Sequence, residues 1–237
     1  MKDKMTLVYQ LLCIALLIAL ICTALCKKST STASTEPTAV PNAVPTAQQP
    51  APSAPPPAVP TTSGWKRIAP SEIPDNAIDL IDNYKGILAM GNKEEHNAMT
   101  IGWGTLGVLW STPIYTVFVS SSRYSYTLME KYDTFTVTFF NKSHMKDVMY
   151  LGHHSGRDGD KISQTNLHLS YTDTGNPIFD EAFLVIECRK IYAAPFDIAK
   201  LPQGMKDFYE KRKIGVHTEY VGEILNVYVK DENRVEK

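Results

Sequence analysis

The segment IYTVFVSSSRYSYTLMEKYDTFTVTFF, residues 114–140, decides the fold class because a strand, a polar corner, a helix and a second strand follow one another within it. Its first part, IYTVFVS, is short and rich in β-branched and aromatic residues, which is typical of a strand. The helical spacing of Tyr126, Met129 and Glu130 predicts a helix over 124–131. TFTVTFF then predicts the next strand.

The corner between strand and helix gathers Ser120, Ser121, Ser122 and Arg123. Free backbone N–H groups and a positive helix dipole occur at such corners, and hydroxyls with one guanidinium would complete an anion site. The alternative is an N-cap, in which a serine side chain satisfies the first helical N–H groups. The local sequence leaves both interpretations open.

The N-terminal part of the chain contains an almost uninterrupted apolar run over 7–26. Its length suits either a secretory signal or a single membrane span. Cys22 and Cys26 add lipid modification as a third alternative, although Leu25 replaces the small residue usual at a lipoprotein processing site. We therefore expect residues 1–28 to be a signal peptide or membrane anchor, and the protein to be exported: membrane-anchored, periplasmic or at the cell surface, with a lipoprotein as one alternative.

Residues 29–63 consist mostly of Pro, Ala, Ser and Thr, with a single charge at Glu36. Such a composition cannot bury enough apolar surface to offset the ordering entropy, and its prolines favour extended segments. We expect a disordered linker here and one folded domain over 64–237, which is long enough for a single sizeable core.

Charge and cysteine content exclude some function classes. The net charge is −1, and no basic tract occurs in the predicted domain, so nucleic acid is not an expected partner. Cys188 is the one cysteine of that domain, which rules out a disulfide within it, and we expect it in the core. His153 and His154 are adjacent and lack other ligands at a familiar spacing, so no metal site is predicted.

Further strand-like runs indicate a mainly β fold. They are GILAM, NAMTIGWG, FLVIECRKIY and YVGEILNVYV, and helical patterns cover 143–151 and 205–211. Six or more strands with few helices predict a β-barrel or sandwich with peripheral helices. The glycine fingerprint of a dinucleotide-binding fold and the nucleophile elbow of a hydrolase are both missing from the sequence.

The stretch from NAMTIGWG to TFTVTFF, residues 97–140, resembles the flavin reductase-like family, which includes the flavoredoxins. SGRDGDK, ECRKIY and GVHTEYVGEI, which begin at Ser155, Glu187 and Gly215, match in the same order. The resemblance covers about residues 65–229. It implies an FMN-binding split β-barrel and a homodimer.

The resemblance also implies a cofactor site. The family's phosphate-binding loop corresponds to the polar corner, which makes Ser120, Ser122, Arg123 and Ser125 candidate ligands of the FMN phosphate. The strand along the flavin ring corresponds to NAMTIGW. It makes candidate flavin contacts of Asn97, Met99, Thr100 and Trp103.

Two basic residues of the glycine-rich SGRDGDK segment, Arg157 and Lys161, could reach an anionic cofactor, or could belong to a solvated loop. His217 is the candidate catalytic residue, because reductases of the family carry a Gly-Asp-His triplet associated with the nicotinamide donor. Here Val216 replaces the aspartate, which puts NAD(P)H use in question. A structural histidine is the alternative.

The resemblance implies an FMN-dependent oxidoreductase, in its first form an NAD(P)H:flavin reductase. The second form is a flavoredoxin-like electron carrier, tethered to a membrane and exchanging electrons with a redox protein partner without direct nicotinamide use. A third alternative is a tethered domain that has lost the flavin.

Overall fold

The computed structural model describes residues 64–74 and 76–230. The predicted anchor (1–28) and the predicted linker (29–63) lie outside the described residues and stay predictions. Within the part that is described, no helix is both long enough and apolar enough to cross a membrane.

The described residues form ten strands and four α-helices. The strands are β1 (Lys66–Ile68), β2 (Ile87–Gly91), β3 (His96–Thr100), β4 (Gly104–Leu109), β5 (Thr112–Ser120), β6 (Thr134–Phe139), β7 (Leu169–Tyr171), β8 (Pro177–Phe179), β9 (Leu184–Pro195) and β10 (His217–Val229). The helices are α1 (Ala77–Asp79), which continues into a π-helical turn at Leu80–Tyr84, α2 (Tyr124–Lys131), α3 (Met145–His153) and α4 (Gln203–Arg212). The predicted mainly β fold with peripheral helices is confirmed.

One antiparallel sheet carries most of the strands, in the order β3-β2-β6-β9-β10-β5-β4, with β1 also paired to β10. Strands β7 and β8 form a separate hairpin. The β9–β10 register shifts twice, between Val221 and Gly222 and between Ile224 and Asn226, and such bulges bend a sheet. A Cβ on Gly222 would lie 2.6 Å from the Phe135 ring, so the bend has no room for a side chain.

Strand β2 is apolar throughout, with no alternating polar residues, because both of its faces are buried. Leu88 and Met90 belong to the main core, which also contains Phe135. Ile87 and Ala89 face a second core beneath α3. A strand buried on both faces cannot alternate with polar residues, and full burial of each large aliphatic side chain contributes about 1.5–3 kcal/mol.

The predicted elements agree with the structure apart from their ends. Helix α2 has the predicted bounds, whereas α3 starts after the predicted 143 because a 3₁₀ turn at Lys142–His144 precedes it. The predicted single run NAMTIGWG is divided between β3 and β4 around residues 101–103. Cys188 is buried in the core as predicted, and burial raises the pKa of its thiol.

Candidate functional site

Two adjoining clefts open beside the corner at which β5 passes into α2. The first has a volume of about 280 Å³ and the second of about 210 Å³. Met99, Arg123 and Ile214 line both clefts, so we treat them as the two halves of one groove.

The structure brings together all eleven residues that were predicted as site residues. The first cleft contains Asn97, Met99, Ser122, Arg123, Ser125, Arg157 and Lys161. The second contains Met99, Thr100, Trp103, Ser120, Arg123 and His217. Their roles in binding stay predictions.

Helix α2 starts at the junction of the two clefts without a side-chain cap. Its N-cap residue is Arg123, in extended conformation, and no side chain makes a capping hydrogen bond. Of the two interpretations left open by the sequence, the one in which a serine side chain caps this helix is therefore wrong. The N-terminal end of α2 instead presents backbone N–H groups and the positive end of its dipole beside the Arg123 guanidinium.

The serine next to the cleft, Ser120, is engaged in a link between distant segments. It is almost fully buried, and its hydroxyl lies 2.7 Å from the carbonyl oxygen of Gly215 and 2.9 Å from the Ser122 Oγ. The Ser121 N–H donates to the Val216 carbonyl at 3.0 Å. Ser120 thus lies in the second cleft, whereas Ser122 lies in the first. Through these bonds the GVH segment (residues 215–217) is held against the serine loop (residues 120–122).

Asn97 lies in the first cleft, next to the start of α2. Its side-chain amide donates to the buried Ser125 Oγ at 2.8 Å, which joins β3 to the first turn of α2. Gly156 packs against the same amide, because a Cβ there would lie 2.6 Å from the Asn97 Oδ1. Asn97 and Ser125 therefore form a wall of the first cleft.

Arg157 reaches across the first cleft to the serine loop. Its Nη1 donates to the Ser122 carbonyl at 3.1 Å, and its guanidinium lies 5.8 Å from the centre of the Tyr124 ring. These two contacts bring a second guanidinium into the cleft that Arg123 also lines.

Lys161 is buried, with 6 % of its surface exposed. Its Nζ donates to the Leu151 carbonyl at 2.6 Å and to the His154 carbonyl at 2.8 Å, at the C-terminal end of α3, where a cation is favoured. Burial, together with the charge of Arg123, lowers the pKa of Lys161 to about 8. Lys161 both closes the end of α3 and contributes positive charge to the first cleft.

The second cleft is lined by rings. The Trp103 ring, about half exposed, lies 4.9 Å from the His217 ring and 6.1 Å from the Phe208 ring, measured between centres. The Arg212 guanidinium lies 4.8 Å from the centre of Phe208. This half of the groove suits a flat conjugated ligand that packs against aromatic faces.

Strand β3 is an edge strand that runs beside both clefts. It pairs with β2, and alternate N–H and C=O groups of an edge strand point away from the sheet. Thr100 is anchored here, since its hydroxyl donates to the Val148 carbonyl of α3. Backbone groups of β3 can therefore meet the polar edge of a ligand in the groove.

His217 lies at the start of β10 with its ring in the second cleft. The Tyr209 hydroxyl lies 2.9 Å from its Nδ1. Burial, together with the charge of Arg123, lowers the pKa of His217, so its imidazole is neutral at pH 7. This hydroxyl is a structural partner of the ring, and the catalytic and the structural role of His217 both stay predictions.

Helix α4 contributes side chains to the site that were not predicted from the sequence. Phe208, Tyr209 and Arg212 contact the second cleft or His217, and the apolar spacing of 205–211 indicated a helix without indicating which strand it covers. Tyr124 was missed in the first cleft. Among the described residues, no group of His, Cys, Asp and Glu side chains is arranged to hold a metal ion.

The family model described as "Flavin reductase like domain" matches residues 86–236. A search of the curated proteins found no match to the sequence.

Several solved structures share the fold. An FMN-binding protein from Thermus thermophilus is 22% identical, with a TM-score of 0.51 over 63% of this chain and 73% of its own. A flavoredoxin from Methanosarcina acetivorans is 23% identical, with a TM-score of 0.51 over 64% and 71%. An FMN-binding domain of a flavin reductase-like enzyme from Shewanella baltica is 11% identical, with a TM-score of 0.52 over 71% and 78%. The predicted split-barrel fold is confirmed.

Proposed function

The chain belongs to the flavin reductase-like family, and from that premise we propose that it binds FMN in the groove and acts as an oxidoreductase of the flavin reductase type. One observation carries the proposal: a cleft with cationic and N–H donors is continuous with a cleft lined by aromatic rings. A flavin mononucleotide has the same two parts, a dianionic phosphate and a flat conjugated ring.

The donors of the first cleft suit a phosphate. The guanidinium groups of Arg123 and Arg157 line it together with the Ser122 and Ser125 hydroxyls and the uncapped start of α2. Charge-assisted hydrogen bonds from guanidinium and backbone N–H groups are the strongest that a phosphate can accept. Lys161 adds a third cation from below the cleft surface.

The second cleft suits a flavin ring. Trp103 and Phe208 offer apolar faces, and the neutral His217 offers a hydrogen-bonding group that carries no charge to repel a cation or attract water. The β3 edge offers backbone donors and acceptors of the kind that tune a flavin through its pyrimidine edge. Met99 lies at the junction of the two clefts, where a ligand that spans the groove would contact it.

Bound FMN would supply the hydride and single-electron chemistry, with NAD(P)H as the proposed donor. The protein's own part would be to hold the flavin ring and the nicotinamide ring in contact and to keep water away from them. Trp103 and Phe208, which line the second cleft, offer apolar ring faces for that purpose. His217 stays neutral at pH 7 because its pKa is lowered, so its imidazole offers one hydrogen-bond donor and one acceptor nitrogen beside the ring site.

A spectrum of the full chain, purified in detergent if required, tests the proposal. We expect yellow protein, or an apoprotein that takes up one FMN per chain and quenches its fluorescence. Anaerobic NADH or NADPH should then bleach the flavin absorbance. A chain that binds neither FMN nor FAD at micromolar concentration contradicts the proposal.

The second candidate function is that of a flavoredoxin-like electron carrier. Val216 favours it, because the residue before His217 lacks the carboxylate found in the reductase triplet. In that case dithionite and a low-potential redox protein would reduce the bound flavin, whereas NADH and NADPH would leave it oxidised over minutes.

Two further properties are proposed on the sequence alone. The apolar run at 7–26 and the linker over 29–63 would tether the domain to a membrane after export, and the family resemblance suggests a homodimer. Cell fractionation followed by high-salt washing tests the tether, and light scattering of the purified chain tests the dimer.

A further inference from the structure

We propose that Tyr209 positions the His217 ring and selects its tautomer, and so takes the place of the carboxylate that is missing at residue 216. This inference rests on the proposed function for its purpose, because an oriented His217 matters most beside a bound flavin. The positioning itself concerns the protein's own atoms and can be tested without flavin.

The contact is well placed for this role. The Tyr209 hydroxyl lies 2.9 Å from the His217 Nδ1, a normal hydrogen-bond length. Tyr209 belongs to α4 and His217 to the first position of β10, so the bond joins a peripheral helix to the barrel. Both side chains are partly buried, which limits the competition from water.

Other contacts restrain the ring but leave its tautomer undetermined. The Trp103 ring lies 4.9 Å away at an interplanar angle of 47°, and the Tyr209 ring itself lies 5.7 Å away. Ring packing limits rotation about the side chain without distinguishing one imidazole nitrogen from the other. Among the described contacts of His217, the bond to the Tyr209 hydroxyl makes that distinction.

The direction of the bond follows from the chemistry of the two groups. A neutral imidazole has one N–H donor and one acceptor nitrogen, and its lone pair is a stronger acceptor than a phenol oxygen. The Tyr209 O–H therefore donates to Nδ1, and Nε2 carries the proton. An aspartate would do the opposite, because it accepts from Nδ1–H and stabilises the cation.

The exchange of partner changes what His217 offers to the groove. With Tyr209 as its partner, the His217 ring is neutral and donates through Nε2–H. A carboxylate partner would instead favour the protonated, positively charged ring. A neutral ring also avoids repulsion from Arg123, which lines the same cleft. Tyr209 thus suits a site that already holds a permanent cation.

Nitrogen NMR of the full chain labelled with ¹⁵N-histidine tests this proposal in flavin-free protein. His217→Gln identifies the signals of His217 by their loss. We expect a protonated Nε2 and an unprotonated Nδ1 in the wild type at pH 7.5. Tyr209→Phe keeps the ring packing and removes only the hydroxyl, and it should convert His217 to a mixture of both tautomers.

Tyr192→Phe is the matched control, because Tyr192 is a half-exposed tyrosine on β9 that makes no described contact with His217. It should leave the His217 signals unchanged. A wild-type Nδ1–H tautomer, or identical His217 signals in the wild type and in a folded Tyr209→Phe variant, overturns the proposal. If Tyr209→Phe does not fold, the wild-type tautomer alone decides.

The kinetic arm separates this inference from the proposed function. Where the wild type oxidises NADH, Tyr209→Phe should lower kcat/KM for NADH at least fivefold and leave the Kd for FMN within twofold. If the wild type neither binds flavin nor oxidises NADH, the proposed function fails, while the tautomer result still supports or overturns the role of Tyr209.

Discussion

The Ser120 hydroxyl donates a 2.7 Å hydrogen bond to the carbonyl oxygen of Gly215, although 95 residues separate them in the chain. The bond holds the serine loop, at the start of the first cleft, against the segment that leads to His217. We therefore expect a displacement of either segment to move the other, which would couple the two halves of the groove at this point.

Gly215→Ala should disturb both halves. A Cβ at this position would lie 2.2 Å from the Ser121 Oγ and 2.8 Å from the Ser122 backbone nitrogen, and one of the two segments has to move. We expect the free energy of unfolding to fall by about 1–3 kcal/mol, as for other overpacked sites. FMN affinity should fall by about tenfold, measured by fluorescence quenching.

Gly204→Ala provides the matched control, since outside its chain neighbours and its own helix backbone no atom lies within 4 Å of the added Cβ, and the residue is helical. Alanine there should leave FMN affinity unchanged and stabilise the protein slightly, by about 0.5–1 kcal/mol. Equal behaviour of the two alanine variants would contradict the coupling between serine loop and GVH segment.

Arg123→Ala should lower the affinity for FMN much more than the affinity for riboflavin. Charge-assisted bonds to a phosphate contribute about 1.5–3 kcal/mol, so FMN binding should weaken by at least tenfold. Riboflavin has no phosphate, and its affinity should change by less than twofold. Titration of both flavins by fluorescence quenching gives the two ratios.

Arg189→Ala removes an arginine that pairs with Glu223 on the protein surface outside both clefts. It should leave the affinity for both flavins unchanged, because the arginine lies outside the clefts and its exposed ion pair contributes little to stability. Equal losses of FMN and riboflavin in Arg123→Ala would point instead to a general disturbance of the groove and contradict a phosphate site at Arg123.

Lys161 should make FMN affinity depend on pH near pH 8. Burial and the nearby Arg123 charge lower its pKa to about 8, so the ammonium loses its proton as pH rises through that value. The positive charge near the phosphate is then lost, and the ratio of FMN to riboflavin affinity should fall several-fold between pH 7 and pH 9. Titrations at five pH values measure the change.

The contribution of Lys161 to protein stability changes with pH in the opposite direction to its contribution to FMN affinity. Because the pKa of Lys161 is lower in the folded chain than in the unfolded chain, the unfolded state binds more protons between about pH 8 and the ordinary lysine pKa of about 10.4. This group therefore favours folding increasingly as pH rises through that range. Lys161→Met should abolish the pH dependence of the affinity ratio, and its persistence would contradict the assignment to Lys161.

Glu187 should stabilise the fold above acidic pH from a position outside the groove. The carboxylate is fully buried and accepts hydrogen bonds from Thr172, Thr174, Asn176 and Asn226. Burial alone would raise its pKa, but these donors outweigh it and the pKa is lowered. Its contribution is complete above the pKa of an unfolded glutamate and is lost as pH falls through the folded value.

Glu187→Gln should therefore destabilise the protein by roughly 1.5–3 kcal/mol at pH 7, measured by urea unfolding. The loss should shrink as pH falls through the lowered folded pKa of Glu187, because the wild type is then also protonated. Glu223→Gln, on the surface, should cost less than about 0.5 kcal/mol at neutral and at acidic pH. A neutral Glu187→Gln variant would show that the buried network contributes no net stability.

The sequence predicted helix α2 and the strands on either side of it because their apolar spacing is regular and local. It also predicted every residue of the polar corner that lines the groove. It failed at Tyr209 and Phe208, because a helical pattern does not indicate which distant strand a helix will cover. The bond between Asn97 and Ser125 was likewise not predicted, because it joins two segments that are distant in the chain.

Val216→Asp tests whether the missing carboxylate limits the reaction. On the sequence alone, restoring the family triplet should raise kcat/KM for NADH. The structure changes this expectation, because Tyr209 already contacts the Nδ1 that a carboxylate would bind, and the Val216 carbonyl already accepts from the Ser121 N–H. We therefore expect Val216→Asp to change kcat/KM for NADH by less than threefold and to leave FMN affinity unchanged.

Stopped-flow reduction of the bound flavin measures the rate, with Val216→Asn as the uncharged control for the added volume. A rise of tenfold or more in the aspartate variant, without a similar rise in the asparagine variant, would show that Tyr209 does not replace the carboxylate.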